Sequence, residues 1–228
     1  MSMYSDEAPV NPLPPVVIAL CVFLVGIELV FLAGENGLIG GTDAVGWRIS
    51  AIENWGFREP LFSWMVENGQ FRVLDLARML TYPFLHISFM HLLFVLVFLL
   101  ALGKMVGEVF GPIAFLTIYF GAAIAGALTY WLVWDTPIVL FGGYAAVYGL
   151  IGAYTFLLWT SLAHTGGNQL QAFRLIAFLA GIQLAFGLLF GGGIDWVAEA
   201  GGFVAGFGLS FLVSPGGWSR VVARLRQR

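Results

Sequence analysis

The stretch "PVVIALCVFLVGIELVFLA", residues 15–33, contains a single charged residue, Glu28, among apolar ones. About 20 such residues, wound as a helix, cover the hydrocarbon core of a bilayer. Comparable runs recur down the chain in "FLHISFMHLLFVLVFLLAL", "PIAFLTIYFGAAIAGALTYWLVW", "IVLFGGYAAVYGLIGAYTFLLW", "FRLIAFLAGIQLAFGLLF" and "GGGIDWVAEAGGFVAGFGLSFLV". This repetition predicts an all-α membrane protein, a bundle of six transmembrane helices. Composition agrees, since 60% of the 228 residues are hydrophobic and only 10% are charged. A soluble domain has about 25% charged residues, so most of this chain is built to avoid water.

Other classes fall away quickly. A net charge of −3 supplies no basic face for nucleic acid. Cys21 is alone, so there is no disulfide framework. The start "MSMYSDEAPVNPLPP" is acidic and proline-rich, unlike the basic start of a signal peptide. The expected organisation is a polar lead-in at 1–14, a membrane domain at 15–213 and a basic tail at 214–228. Inside the domain, the long segment 34–80 mixes acids, arginines and tryptophans, and patches such as "EPLFSWMVENG" are too short to span. They suit the interface between lipid and water. Four arginines in the tail put both termini in the cytoplasm by the positive-inside rule. The expected location is the inner (plasma) membrane of a bacterium.

Within that frame the start of the second span is read at Pro83, and a break at "GKMVGEVFG" separates the second span from the third. "GGYAAVYGLIGAY" and "EAGGFVAGFG" place small residues at intervals of three and four, which lets helix backbones approach closely. The fourth and sixth spans should therefore touch, bringing Tyr144 near Glu199. Most of the glycines involved, among them Gly143, Gly149, Gly201, Gly202 and Gly206, are expected to serve packing.

Carboxylates inside a span need a reason. Glu28 is read as reaching the interface, Asp195 as solvated at the membrane surface, and Glu199 as buried and hydrogen-bonded to Tyr144 or His91. His86 and His91 would lie about 140° apart on one helix, which excludes the shared face that a metal pair needs. No metal and no cofactor are expected. His86 is assigned a structural role and His91 a place lining a pocket. Ser88 is expected to bond a carbonyl one turn back.

Four pieces in order resemble the rhomboid family, the six-helix intramembrane serine proteases. "TYPFLHISFMHLLF" is similar to the segment entering the second helix, with its two histidines. "GKMVGEVFGPIAFLTIYFGAAIAGAL" is similar to the next loop and helix. "GGYAAVYGLIGAY" resembles the Gly-x-Ser-Gly helix, and "AEAGGFVAGF" the Ala-His-x-Gly-Gly helix. The resemblance puts the nucleophilic serine at Tyr144, the glycine after it at Ala145 and the catalytic histidine at Glu199. It puts the oxyanion-stabilising histidine at His91 and the asparagine at Val95, and it keeps at Tyr148 a tyrosine that packs on the catalytic histidine.

The chemistry implied by those replacements is severe. A hydroxyl attacks only when a neighbouring base takes its proton. A tyrosine phenolate is a poor nucleophile toward amides and a good leaving group. Val95 supplies no donor to an oxyanion, a loss of about 3 kcal/mol where one such donor has been removed. The resemblance thus implies a rhomboid-like pseudoprotease, which binds transmembrane segments of other membrane proteins within the lipid bilayer without cutting them. One alternative is an intramembrane protease with non-standard catalytic residues. Another is a proton or ion pathway through Glu199, Tyr144 and His91, which would need a continuous polar line.

Overall fold

The structure, a computed structural model, describes residues 12–190 and 193–214. The expected lead-in and tail therefore lie almost wholly outside the described residues. Helix α1 (Pro15–Glu35) comes first, followed by the short helices α2 (Trp47–Trp55), α3 (Glu59–Asn68), α4 (Val73–Leu76) and α5 (Arg78–Thr81). Then come α6 (Phe89–Phe110), α7 (Pro112–Val133), α8 (Tyr144–Thr165), α9 (Arg174–Phe190) and α10 (Trp196–Val213). Strand β1 (Phe57–Arg58) pairs antiparallel with β2 (Val139–Leu140), tying the α1–α6 connection to the α7–α8 connection.

Five of these helices, α1, α6, α7, α8 and α10, are long and apolar enough to cross a membrane. Helix α9 is shorter, at 17 residues. The long helices alternate in direction, so the starts of α6, α8 and α10 share one end of the bundle with the end of α1. The centre is α7, α8 and α10, whose contact is set by missing side chains. Gly202 faces the backbone of Ala145, Gly206 that of Gly149, and Gly152 that of Phe203; a Cβ at any of them would overlap its neighbour. On the outside, α1 packs on α6, where a Cβ at Gly103 or Gly107 would come within 3.0 Å of Val17 or Pro14.

Several sequence-based boundaries shift. Helix α6 starts at Phe89 rather than after Pro83, because the Ser88 hydroxyl accepts the amide of His91 at 3.2 Å and caps it. Pro83 instead sits in a short 3-10 turn, Tyr82–Phe84, and among the described residues the Ser88 side chain has the His91 amide as its partner in place of a carbonyl one turn back. The expected break at "GKMVGEVFG" narrows to the last residue of that stretch, since α6 runs through the rest of it to Phe110. The turn is the single residue Gly111, at φ +79°, followed by Pro112 in the first turn of α7. Positive φ suits glycine, and proline suits a helix start, so one residue reverses the chain. The fourth span begins at Tyr144, because Val139–Leu140 is committed to the strand pair.

Glu28 also departs from expectation. It is only 3% exposed and is gripped by Arg48, whose Nη1 and Nη2 donate to its two oxygens at 2.8 and 2.9 Å. The same guanidinium donates from Nε to Glu35 at 2.6 Å and from Nη1 to the carbonyl of His86 at 2.9 Å, with the Phe31 ring 5.2 Å away. Burial opposes the charge on Arg48, but the hydrogen bonds to Glu28 and Glu35 outweigh it and raise its pKa above the ordinary arginine value. A carboxylate can be buried when a planar fork of donors meets both oxygens.

Candidate functional site

At the end where α6, α8 and α10 begin, a cavity of about 200 Å³ opens between them. Its lining includes His91 from α6, Tyr144 and Ala145 from α8, and Asp195, Ala198 and Glu199 from the start of α10, with Phe141 and Gly142 from the α7–α8 connection. The chain reaches α8 through Gly142 at φ +99°, whose amide donates to the carbonyl of Tyr82 at 3.0 Å. Glycine is required there on two counts, since a Cβ would also come within 2.8 Å of the His91 ring.

The next residue is held from two sides. The Gly143 amide donates to Nε2 of His86 at 3.3 Å, and a Cβ at Gly143 would come within 2.7 Å of Val95, which is fully buried beneath it. His86 also has a backbone hydrogen-bond partner at Phe84. Burial, with smaller contributions from His91 and Arg48, pushes its pKa from 6.5 down to about 3. The imidazole is therefore neutral, with Nε2 free to accept. Between those two values the unfolded chain takes up a proton that the folded chain refuses, so stability is lost as pH falls from about 6.5 toward 3, by up to about 1.4 kcal/mol per unit. His86→Gln retains an acceptor for Gly143 and should flatten this part of the profile in chemical unfolding at pH 7 and 4. Equal slopes for the two proteins would remove His86 as the cause.

Tyr144, the first residue of α8, lays its ring on His91, with centroids 5.0 Å apart and planes 21° apart. His91 in turn meets His86 edge-on at 5.1 Å. The two histidines thus touch without sharing a helix, because His86 precedes α6. Across the cavity Glu199, 7% exposed, accepts a hydrogen bond from the side-chain amide of Gln183 on α9. The Tyr148 hydroxyl is its second partner. The expected bond from Glu199 to Tyr144 or His91 is replaced by these two. Gln183 was missed, though it is the one polar residue in the middle of "FRLIAFLAGIQLAFGLLF". Asp195 is exposed at the cavity edge, just before α10. Gly201, one turn behind the wall, abuts Thr129 of α7. Among the described residues no cluster of histidine, cysteine and carboxylate side chains has the grouping of a metal site.

Residues 74–216 match the family model of the rhomboid domain. The chain belongs to the rhomboid family. It is similar to two rhomboid-like proteases of Toxoplasma gondii. It is 29% identical to rhomboid-like protease 1 over 138 residues, covering 59% of this chain and 46% of that one. It is 31% identical to rhomboid-like protease 3 over 142 residues, covering 61% of this chain and 52% of that one. The chain spans about half the length of the curated relatives it matches.

For a rhomboid, the cavity lining is notable for what it offers a peptide bond. Among the described residues that line it there is no serine, threonine or cysteine. The two positions where the resemblance puts the dyad carry Tyr144 and Glu199, on the facing helices α8 and α10. Among the described lining residues the only hydroxyls belong to tyrosines, and that of Tyr82 is spent on the carbonyl of Ala123 at 2.8 Å.

Proposed function

We propose that this rhomboid is a pseudoprotease that binds transmembrane segments of other membrane proteins and does not hydrolyse them. The observation that carries the reading is the pairing of Tyr144 with His91. Tyrosine supplies no nucleophile suited to amides, and its ring covers the imidazole that the resemblance assigns to oxyanion stabilisation. Val95, packed under Gly143, adds no donor.

The reading takes α9 as a sixth, short span, about 26 Å long at 1.5 Å per residue. It takes residues 15–213 as one membrane domain, 34–80 as an interfacial layer, and both termini as cytoplasmic in a bacterial inner membrane. The degenerate site consists of Tyr144, Glu199, His91, Val95, Tyr148 and Ala145, with His86 and the glycines of α8 and α10 supporting it.

The two relatives, both named as rhomboid-like proteases, favour a second reading, intramembrane proteolysis by unorthodox residues. One experiment separates the two. Protein reconstituted in lipid is incubated with labelled transmembrane substrates and with a fluorophosphonate probe, which needs an activated hydroxyl. Intact substrate that co-purifies with unlabelled protein is expected. Specific cleavage that disappears in Glu199→Gln would establish the protease instead.

A further inference from the structure

The cavity is rich in acceptors and poor in cations. Glu199 and Asp195 stand one helical turn apart on its α10 wall, and among the described residues no lysine or arginine lines it. Glu199 already shows its preference by taking the Gln183 amide and the Tyr148 hydroxyl. Among the described residues no side chain donates to Asp195. Nε2 of His91 is buried at the cavity and has no hydrogen-bond partner among the described residues. The wall also carries the rings of Tyr144 and Phe141 among aliphatic residues, and aromatic rings are surfaces on which a cation rests.

The surroundings carry the same sign. Residues 36–88 and 134–143, joined by the β1–β2 pair at this end, hold six carboxylates and four arginines. Three of those arginines, Arg48, Arg72 and Arg78, are already ion-paired. The starts of α6, α8 and α10 converge here too, each worth about half a positive charge. Those dipoles favour negative charge at this end, yet they fade within a turn and bring no donor to Asp195.

We infer that this cavity receives a lysine or arginine side chain borne at the near end of a partner's transmembrane segment. Its ammonium or guanidinium bridges Asp195 and Glu199 against the Tyr144 and Phe141 rings. The inference rests on the reading of this chain as a binder of membrane segments and names which segments it selects. Such a flank is discriminating. In the proposed orientation the cavity end is non-cytoplasmic, where membrane proteins carry few basic residues.

The test uses the full chain in phosphatidylcholine nanodiscs and three fluorescent synthetic spans that differ in one flanking residue: lysine, glutamine or glutamate. The lysine span should bind about tenfold tighter than the glutamine span, and the glutamate span should bind weakest. In Asp195→Asn with Glu199→Gln the lysine-to-glutamine ratio should fall to about one; Asp195→Asn alone should reduce it if the double variant fails to fold. Equal binding of lysine and glutamine spans to the unaltered protein overturns the inference and leaves segment binding standing. A lysine preference that survives in the folded double variant overturns it as well. Binding of none of the spans overturns segment binding itself, and the inference with it. Exchange of phosphatidylcholine for phosphatidylethanolamine should leave the preference intact. Loss of the preference there would make a lipid amine the occupant and overturn the partner side chain.

Discussion

Arg48→Ala should destabilise the protein by about 3 to 5 kcal/mol, the range for breaking a buried ion pair from one side. The cost comes from what remains. Glu28 would keep a carboxylate 3% exposed with its guanidinium partner gone, and the carbonyl of His86 would lose its donor. The second loss reaches the site, since the His86 ring holds the amide of Gly143 at the start of α8. Removing both charges is a different experiment. Arg48→Met with Glu28→Gln leaves no buried ion unpaired, since Glu35, which also loses its partner, is 34% exposed, so it should recover a large part of the loss. Chemical unfolding in mild detergent measures both. An Arg48→Ala protein within about 1 kcal/mol of the unaltered one would show that water reaches Glu28 and that the cluster is ornamental.

How much of this was legible in the sequence depends on the range of the interaction. The small-residue spacing in "GGYAAVYGLIGAY" and "EAGGFVAGFG" is a local pattern with one physical use, and the structure has α8 and α10 backbones meeting at Gly202 and Gly206. The same contact puts Tyr144 and Glu199 at one cavity. The grip of Arg48 on Glu28 has no local signature. The partners are 20 residues apart, and each alone reads as an interfacial charge. Gln183 was invisible for a related reason. A lone amide in a span gains meaning only when its acceptor is known, and Glu199 lies on another helix. The start of α6 was a contest between two local signals. Pro83 fits a first helical turn, but the cap formed by Ser88 decided the outcome, and Pro83 took a 3-10 turn instead.

Converting Tyr144→Ser, Ala145→Gly, Glu199→His and Val95→Asn together should create a serine that labels with fluorophosphonate. Tyr144→Ser uncovers the His91 ring, now stacked under the phenol at 5.0 Å. Glu199→His sets an imidazole across the cavity, above the Tyr148 ring where the resemblance has a tyrosine pack. Val95→Asn brings an amide beneath Gly143, at a fully buried position. Its donors must find an oxyanion or go unpaired, so the variant should lose about 1 to 3 kcal/mol of stability when the cavity is empty. Without Val95→Asn, the other three changes should label about 100-fold more slowly, the scale of one oxyanion donor. The probe is small, so its reaction reports the hydroxyl and its base without calling on substrate entry. Gln183 is the remaining obstacle, since its amide now donates to Glu199 and would face the new imidazole. Gln183→Leu added to the four changes should raise labelling further by freeing that ring to accept the serine proton. A folded five-fold variant that stays unlabelled would show that positions 144 and 199 do not face each other as a dyad, and the degenerate-site assignment would fall with it.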